Sequence, residues 1–196
     1  MANPHSTDNY VIGKGKLQIA EFVSGAPGTY VDVGNCPRFE LEPALTRLPH
    51  YSSRSGYRTK DKNPITEVNY NVAFDLDEIA ATNMKIFMMG TLVEGFKVYG
   101  MQATDQEFAL RFTSDNPTGP NYVVDCWRVT LSPGGPVQLV GEDWMIMSFT
   151  GEGLADTVNQ SPSPYFTIDY TTAYTETSAS ESSRSSSSSS ESSESV

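Results

Sequence analysis

Apolar and polar residues alternate along much of the chain. In residues 106–113, Phe108, Leu110 and Phe112 fall on one side, with Glu107, Ala109, Arg111 and Thr113 on the other. In residues 63–77, Val68, Tyr70, Val72 and Phe74 face one way and Glu67, Asn69, Asn71 and Ala73 the other. Phe39 and Leu41 alternate with Arg38, Glu40 and Glu42, and Phe166, Ile168 and Tyr170 repeat the pattern near the end. Successive side chains of a strand point to opposite faces, so a period of two is a strand signature. The turn sequences GAPGT, NPTGP and PGG separate these segments, and together they predict an antiparallel β domain. Residues 122–131 and 144–149 (WMIMSF) are apolar on both faces, which predicts strands covered on both sides.

One segment has the helical period. Leu76, Ile79, Ala80, Met84, Phe87 and Met88 form one stripe. Asp77 stands where it can cap the start and Gly90 where it can end the helix. The spacing predicts a helix over 77–89 lying on the sheet. Between Leu48 and Asp61 the sequence LPHYSSRSGYRTKD has no apolar period. A loop of this length is usually functional or disordered.

Composition sharpens both ends of this picture. The last 21 residues, 176–196, hold 13 Ser, four Glu and one Arg. Such a segment cannot bury enough apolar surface to offset its ordering entropy, so it is expected to be a disordered tail appended to a domain of residues 1–175. The whole chain has a formal charge of −11, of which −3 belongs to that tail and −8 to residues 1–175. This acidity argues against unaided binding of nucleic-acid phosphate. Yet five of the 13 cations, Arg47, Arg54, Arg58, Lys60 and Lys62, gather within 16 residues beside His50. No run approaches the roughly 20 apolar residues of a membrane helix, and the N-terminus lacks the pattern of a signal peptide. A soluble protein of a cytosol-like compartment is expected, with Cys36 and Cys126 as two small buried thiols.

Enzyme signatures are missing. The chain contains no HExxH, GxSxG, P-loop or CxxC. His5 and His50 have no obvious local partner, and Gly13-Lys14-Gly15 reads as a turn before the first strand. Glu142 with Asp143 and Asp75 with Asp77 are adjacent carboxylates, and the second pair lacks the Gly of a calcium loop. No catalytic role, cofactor or metal is expected.

The order of these features resembles a known family. The series YVIGKGKLQIAEF, a short DVGNCPRFELEPA strand pair, LPHYSSRSGYRTKDK, ITEVNYNVAFDLDEIAATNMKIFMMG, NPTGPNYVVDCWRVTLSPGG, GEDWMIMSFTGEGLAD and SPYFTIDY is similar to the major tail tube protein of long-tailed bacteriophages. The resemblance spans about Asn9 to Tyr170, and HYSSRSGYRTKD is its most specific piece. The Ser-rich end departs from relatives that carry an outer immunoglobulin-like domain. The resemblance implies a mostly β fold, an antiparallel β-sandwich or barrel with one flanking α-helix and a long basic loop. It implies hexameric rings stacked into a tube around a tape-measure protein, closed by tail tip and terminator proteins, within a virion tail assembled in the bacterial cytoplasm. DNA would pass through without specific binding and without a membrane partner. On that reading Glu40, Glu42, Glu67, Asn69 and Asn71 are candidates for an acidic lumen wall that repels phosphate. Arg47, His50, Arg54, Arg58, Lys60 and Lys62 are then candidates for the contact between rings.

Two other readings stay open on the residues alone. A β-sandwich module that binds carbohydrate or a receptor would use exposed aromatics such as Tyr51, Tyr57 and Tyr99. A β-sandwich hydrolase would use a carboxylate pair.

Overall fold

The computed structural model describes residues 7–54 and 56–170. The expected tail, 176–196, and the last residues of the expected 1–175 domain lie outside them. After a 3-10 turn at Thr7–Asn9 come β1 (Gly15–Val23), β2 (Ala26–Pro27), β3 (Val31–Asp32), β4 (Arg38–Arg47), β5 (His50–Ser52), β6 (Thr59–Lys62) and β7 (Ile65–Leu76). A helix, α1 (Ala81–Phe87), precedes β8 (Thr91–Val93), β9 (Lys97–Tyr99), β10 (Glu107–Ser114), β11 (Val123–Pro133), β12 (Met147–Gly153) and β13 (Phe166–Asp169).

The fold is mostly β, with one helix against one curled antiparallel sheet. The strand order is β2-β1-β10-β11-β12-β7-β4, with β3 on β1 and β13 on β11. The first half of β11, Val123 to Cys126, pairs with β13, and its second half, Val129 to Pro133, pairs with β12. One long strand thus passes from one set of neighbours to another, and the sheet bends into a half-barrel. The curl brings Phe39 of β4 onto Phe112 of β10, rings stacked with centroids 5.4 Å apart, although three strands separate them in the sheet. Two separate stacked sheets, the sandwich form of the expectation, are not what these strands make; a curled sheet closes over its own core instead.

That core follows the alternation. Leu17, Tyr70, Phe74, Leu76, Leu110, Cys126, Val129, Met147 and Phe149 are fully buried. Phe74 and Phe149 face each other in register and stack at 4.7 Å, while Phe87 of α1 stands edge-on to Phe149 at 5.4 Å. Full burial of such a side chain stabilises by roughly 1.5–3 kcal/mol. Burial pushes the Cys126 thiol up to about 12 and the half-buried Cys36 thiol up to about 11, so both stay protonated at neutral pH.

Several expectations are corrected. The helix begins at Ala81 rather than Asp77, and its N-cap, Ala80, makes no side-chain cap bond. Asp77 instead accepts a hydrogen bond from Asn35 Nδ2 (2.6 Å), and Glu78 accepts one from Asn35 N (3.1 Å). Inside the helix Asn83 Nδ2 donates to Val33 O and Glu78 O, tying the first turn to the loop after β3. The end is a Schellman arrangement in which Gly90 N donates to Lys85 O and Met89 N to Ile86 O. Met89, not Gly90, takes the left-handed conformation, φ 46°. Gly90 is needed for space, because a Cβ there would run into the Tyr99 carbonyl. The strand expected at 144–149 starts only at Met147, and Trp144 is 92 % exposed. β3 and β4 do not pair with each other; β3 joins β1 and β4 joins β7. The long loop is shorter than expected, because His50–Ser52 and Thr59–Lys62 form a hairpin.

Candidate functional site

Two surfaces stand out. The first is the face of β4, β7, β12 and β11 that points away from the core. Cross-strand register lines up Glu40 with Ala73 and Thr150, and Glu42 with Asn71 and Glu152. Thr130 sits opposite Glu152 and Ser132 opposite Thr150. Together they line an open depression of about 440 Å³. Three of the five residues expected on an acidic wall, Glu40, Glu42 and Asn71, meet here. Asn69 joins them through Glu152, donating from Nδ2 at 2.5 Å, and Glu67 lies farther along β7, beside Asn69.

Glu152 is the acid that the sequence reading missed. The segment FTGEG alternates, with Phe149, Gly151 and Gly153 buried and Thr150 and Glu152 outward. Small residues on the buried face hid that period, because glycine carries no apolar signal.

At one end of this face Arg38 grips Asp75 in a two-bond fork, Nε to Oδ2 at 2.7 Å and Nη2 to Oδ1 at 3.0 Å, and reaches Glu40 at 3.2 Å. The Arg38 hydrogen bonds hold the Asp75 carboxyl below its ordinary value. A carboxyl depressed in the folded state stabilises the fold fully above its unfolded value, about 3.9. That contribution is lost as pH falls through the lower folded value. Asp75→Asn is therefore expected to be less stable than the parent at pH 7 and equal to it at the acid limit. Urea midpoints measured at several pH values check this, and a difference that stays constant with pH would count against it.

The second surface is an arm. β12 covers β7 only as far as Asn71, whereas the β4–β7 ladder runs on to Arg47 and Ile65. This is a two-stranded ribbon about 20 Å longer, and the β5–β6 hairpin is its tip. Val68, placed inward by the alternation, is exposed here with Leu45, Leu48 and Ile65, because among the described residues no third strand pairs along this stretch. The arm collects the six residues expected in a basic contact. Arg47 Nη1 donates to Asn63 O (3.4 Å) where the ribbon passes into the tip hairpin. His50, read as lacking a partner, has its Nδ1 2.5 Å from Asp61 Oδ1 across the hairpin. Arg58 lies over the Tyr51 ring at 5.2 Å, a cation–π contact worth about 0.5–1 kcal/mol when exposed. Among the described residues Arg54, Lys60 and Lys62 have no ion-pair partner.

Elsewhere most of the described cations are consumed locally, Lys14 and Lys97 excepted. Arg111 forks onto Asp125 and lies over Tyr30, Arg128 forks onto Glu107, and Lys85 pairs with Glu21. The arm is thus where unpaired positive charge is most concentrated among the described residues. Of the aromatics named for a binding module, Tyr51 and Tyr57 lie on the arm and Tyr99 on the separate β8–β9 hairpin, all exposed. Among the described residues no three His, Cys, Asp or Glu side chains group as a metal site requires, and no helix is long and apolar enough to cross a membrane.

Residues 10–95 match the family described as Protein of unknown function UCP028589. That stretch takes in β1, the whole arm, α1 and β8. No curated protein matches the chain.

Proposed function

We propose that this chain is a structural subunit that assembles with copies of itself into rings and then into a tube of the phage tail type, with the acidic face turned to the channel. The observation that carries the reading is β4, a ten-residue strand whose second edge pairs with nothing among the described residues. An open edge of this length is an aggregation hazard unless a defined partner covers it. Pairing between neighbours around a ring supplies that partner, and closure of the ring leaves no β4 edge free. Such pairing would join the faces bearing Glu40, Glu42 and Glu152 into one acidic wall. That wall would repel the phosphates of passing DNA, so that transit proceeds without adhesion. The arm, projecting from the plane of the ring, would carry its cations to the next ring.

Reversing the arm's charge tests the last step. Arg54→Glu with Arg58→Glu and Lys60→Glu is expected to leave a folded chain that no longer makes tubes. All three side chains are exposed, so circular dichroism should be unchanged while negative-stain images lose the tubes. Tubes of normal length from this variant would overturn the arm's role.

A further inference from the structure

A second exposed apolar segment lies in residues 134–146, the connection from β11 to β12. Leu139, Val140, Trp144 and Ile146 are all exposed, Val140 at 89 % and Trp144 at 92 %. Apolar side chains grouped this way on a surface mark a docking site. The segment also holds Glu142 and Asp143 and no cation. Among the described residues neither acid has an ion-pair partner. Its base is fixed, because Gly134 N donates to Ser148 O at 2.7 Å and Val137 packs against the core.

The arm is its complement in both respects. The arm shows apolar Leu45, Leu48, Ile65 and Val68 beside unpaired cations; the 134–146 segment shows apolar side chains beside unpaired acids. The two lie at opposite ends of the sheet. Met147, where the segment rejoins β12, is level with Leu76 at the far end of β7, and Ile65 begins β7 at the arm. Eleven residues of strand separate those levels, about 36 Å.

We propose that residues 134–146 are the surface on which a second copy of this chain seats its arm: the arm's apolar flank buries Trp144 and Val140, and its cations meet Glu142 and Asp143. Because donor and acceptor are different surfaces at opposite ends, the contact is head-to-tail and repeats without closing, which generates a filament along the strand direction. Opposite charges set partner choice and register, while apolar burial supplies most of the adhesion. The inference rests on the self-assembly reading and adds the acceptor site to it.

The test reads assembly of the full chain by sedimentation and by Trp144 fluorescence. Assembly of the unaltered chain should shift the emission to shorter wavelength as Trp144 leaves water, and Trp144→Phe should lack that component. Glu142→Lys with Asp143→Lys should raise the concentration needed for tubes by about tenfold or more. Combining it with Arg58→Glu and Lys60→Glu should bring that concentration back toward the original. If the unaltered chain forms tubes while Trp144 stays in water, or if the acid-to-Lys variant assembles as before, the acceptor site is wrong and the assembly reading stands. If the combined variant is no better than either half, the direct charge pairing is wrong. A chain that stays monomeric at every concentration overturns both readings.

Discussion

Replacing Phe149 by Ala is expected to cost about 3–5 kcal/mol, the range for removing a large aromatic side chain from a core. Against a domain stability of roughly 5–15 kcal/mol this is a large fraction. Phe149 is 2 % exposed, and its ring links three elements. It stacks on Phe74 of β7 and meets Phe87 of α1 edge-on. Its loss therefore leaves a cavity and also removes the main aromatic contact between helix and sheet. α1 is only seven residues long and has no side-chain cap, so it has little stability apart from packing. Hydrogen exchange at the Met84 and Met88 amides, which donate to Ala80 O and Met84 O, should quicken more than exchange in the β4–β7 ladder. Phe149→Leu keeps most of the volume and should lose less. Unfolding of Phe149→Ala at the parental urea midpoint would refute this account of the core.

The strands were legible wherever one face is buried and the other is wet. Tyr70, Val72 and Phe74 alternate with Asn71 and Ala73, and the pleat turns that pattern directly into faces. The same rule failed four residues earlier at Val68, and the reason is topological. A period-two pattern gives sidedness but does not say how many neighbours a strand has, and β7 loses its neighbour β12 before Val68 is reached. Trp144 failed for a related reason: a run of apolar residues reads as buried strand whether it lies in the core or waits on the surface. The helix was found by its stripe, but its start moved by four residues because Asp77 and Glu78 serve Asn35 across the chain rather than the helix end.

The candidate site was half legible. Glu40, Glu42 and Asn71 were placed on one face by alternation, and the clustering of cations marked the arm. Glu152 could not be tied to them, since sequence gives no register between β12 and β7. The hairpin within the arm was hidden because HYS and TKDK carry no apolar period, and its pairing depends on polar contacts such as His50 with Asp61. What the arm could touch was hidden for the same reason as Trp144, because exposure, not composition, separates a docking surface from a core.

Gly153→Ala is expected to destabilise by about 3–4 kcal/mol, the upper part of the overpacking range together with one lost hydrogen bond. Gly153 is not among the residues with positive φ, so space rather than backbone conformation demands glycine. A Cβ at this position would fall within the Tyr70 ring. That ring is fully buried, lies edge-on to Phe166 at 5.4 Å and to Tyr165 at 6.3 Å, and its hydroxyl donates to Arg128 O at 3.1 Å. It has nowhere to swing, so β12 must shift or the hydroxyl must give up its acceptor. Gly151→Ala is the control. Its Cβ would approach Val129, Leu131 and Val72 methyl groups at 2.7, 2.8 and 2.9 Å, which can yield by rotation, so a smaller loss is expected. Tyr70→Leu is destabilising alone but should restore part of the loss when combined with Gly153→Ala, because the two residues compete for one space. Urea denaturation of the four variants measures the coupling. Strictly additive losses would show that the ring and the glycine do not oppose each other, and that Tyr70 is held by something other than the gap that Gly153 leaves.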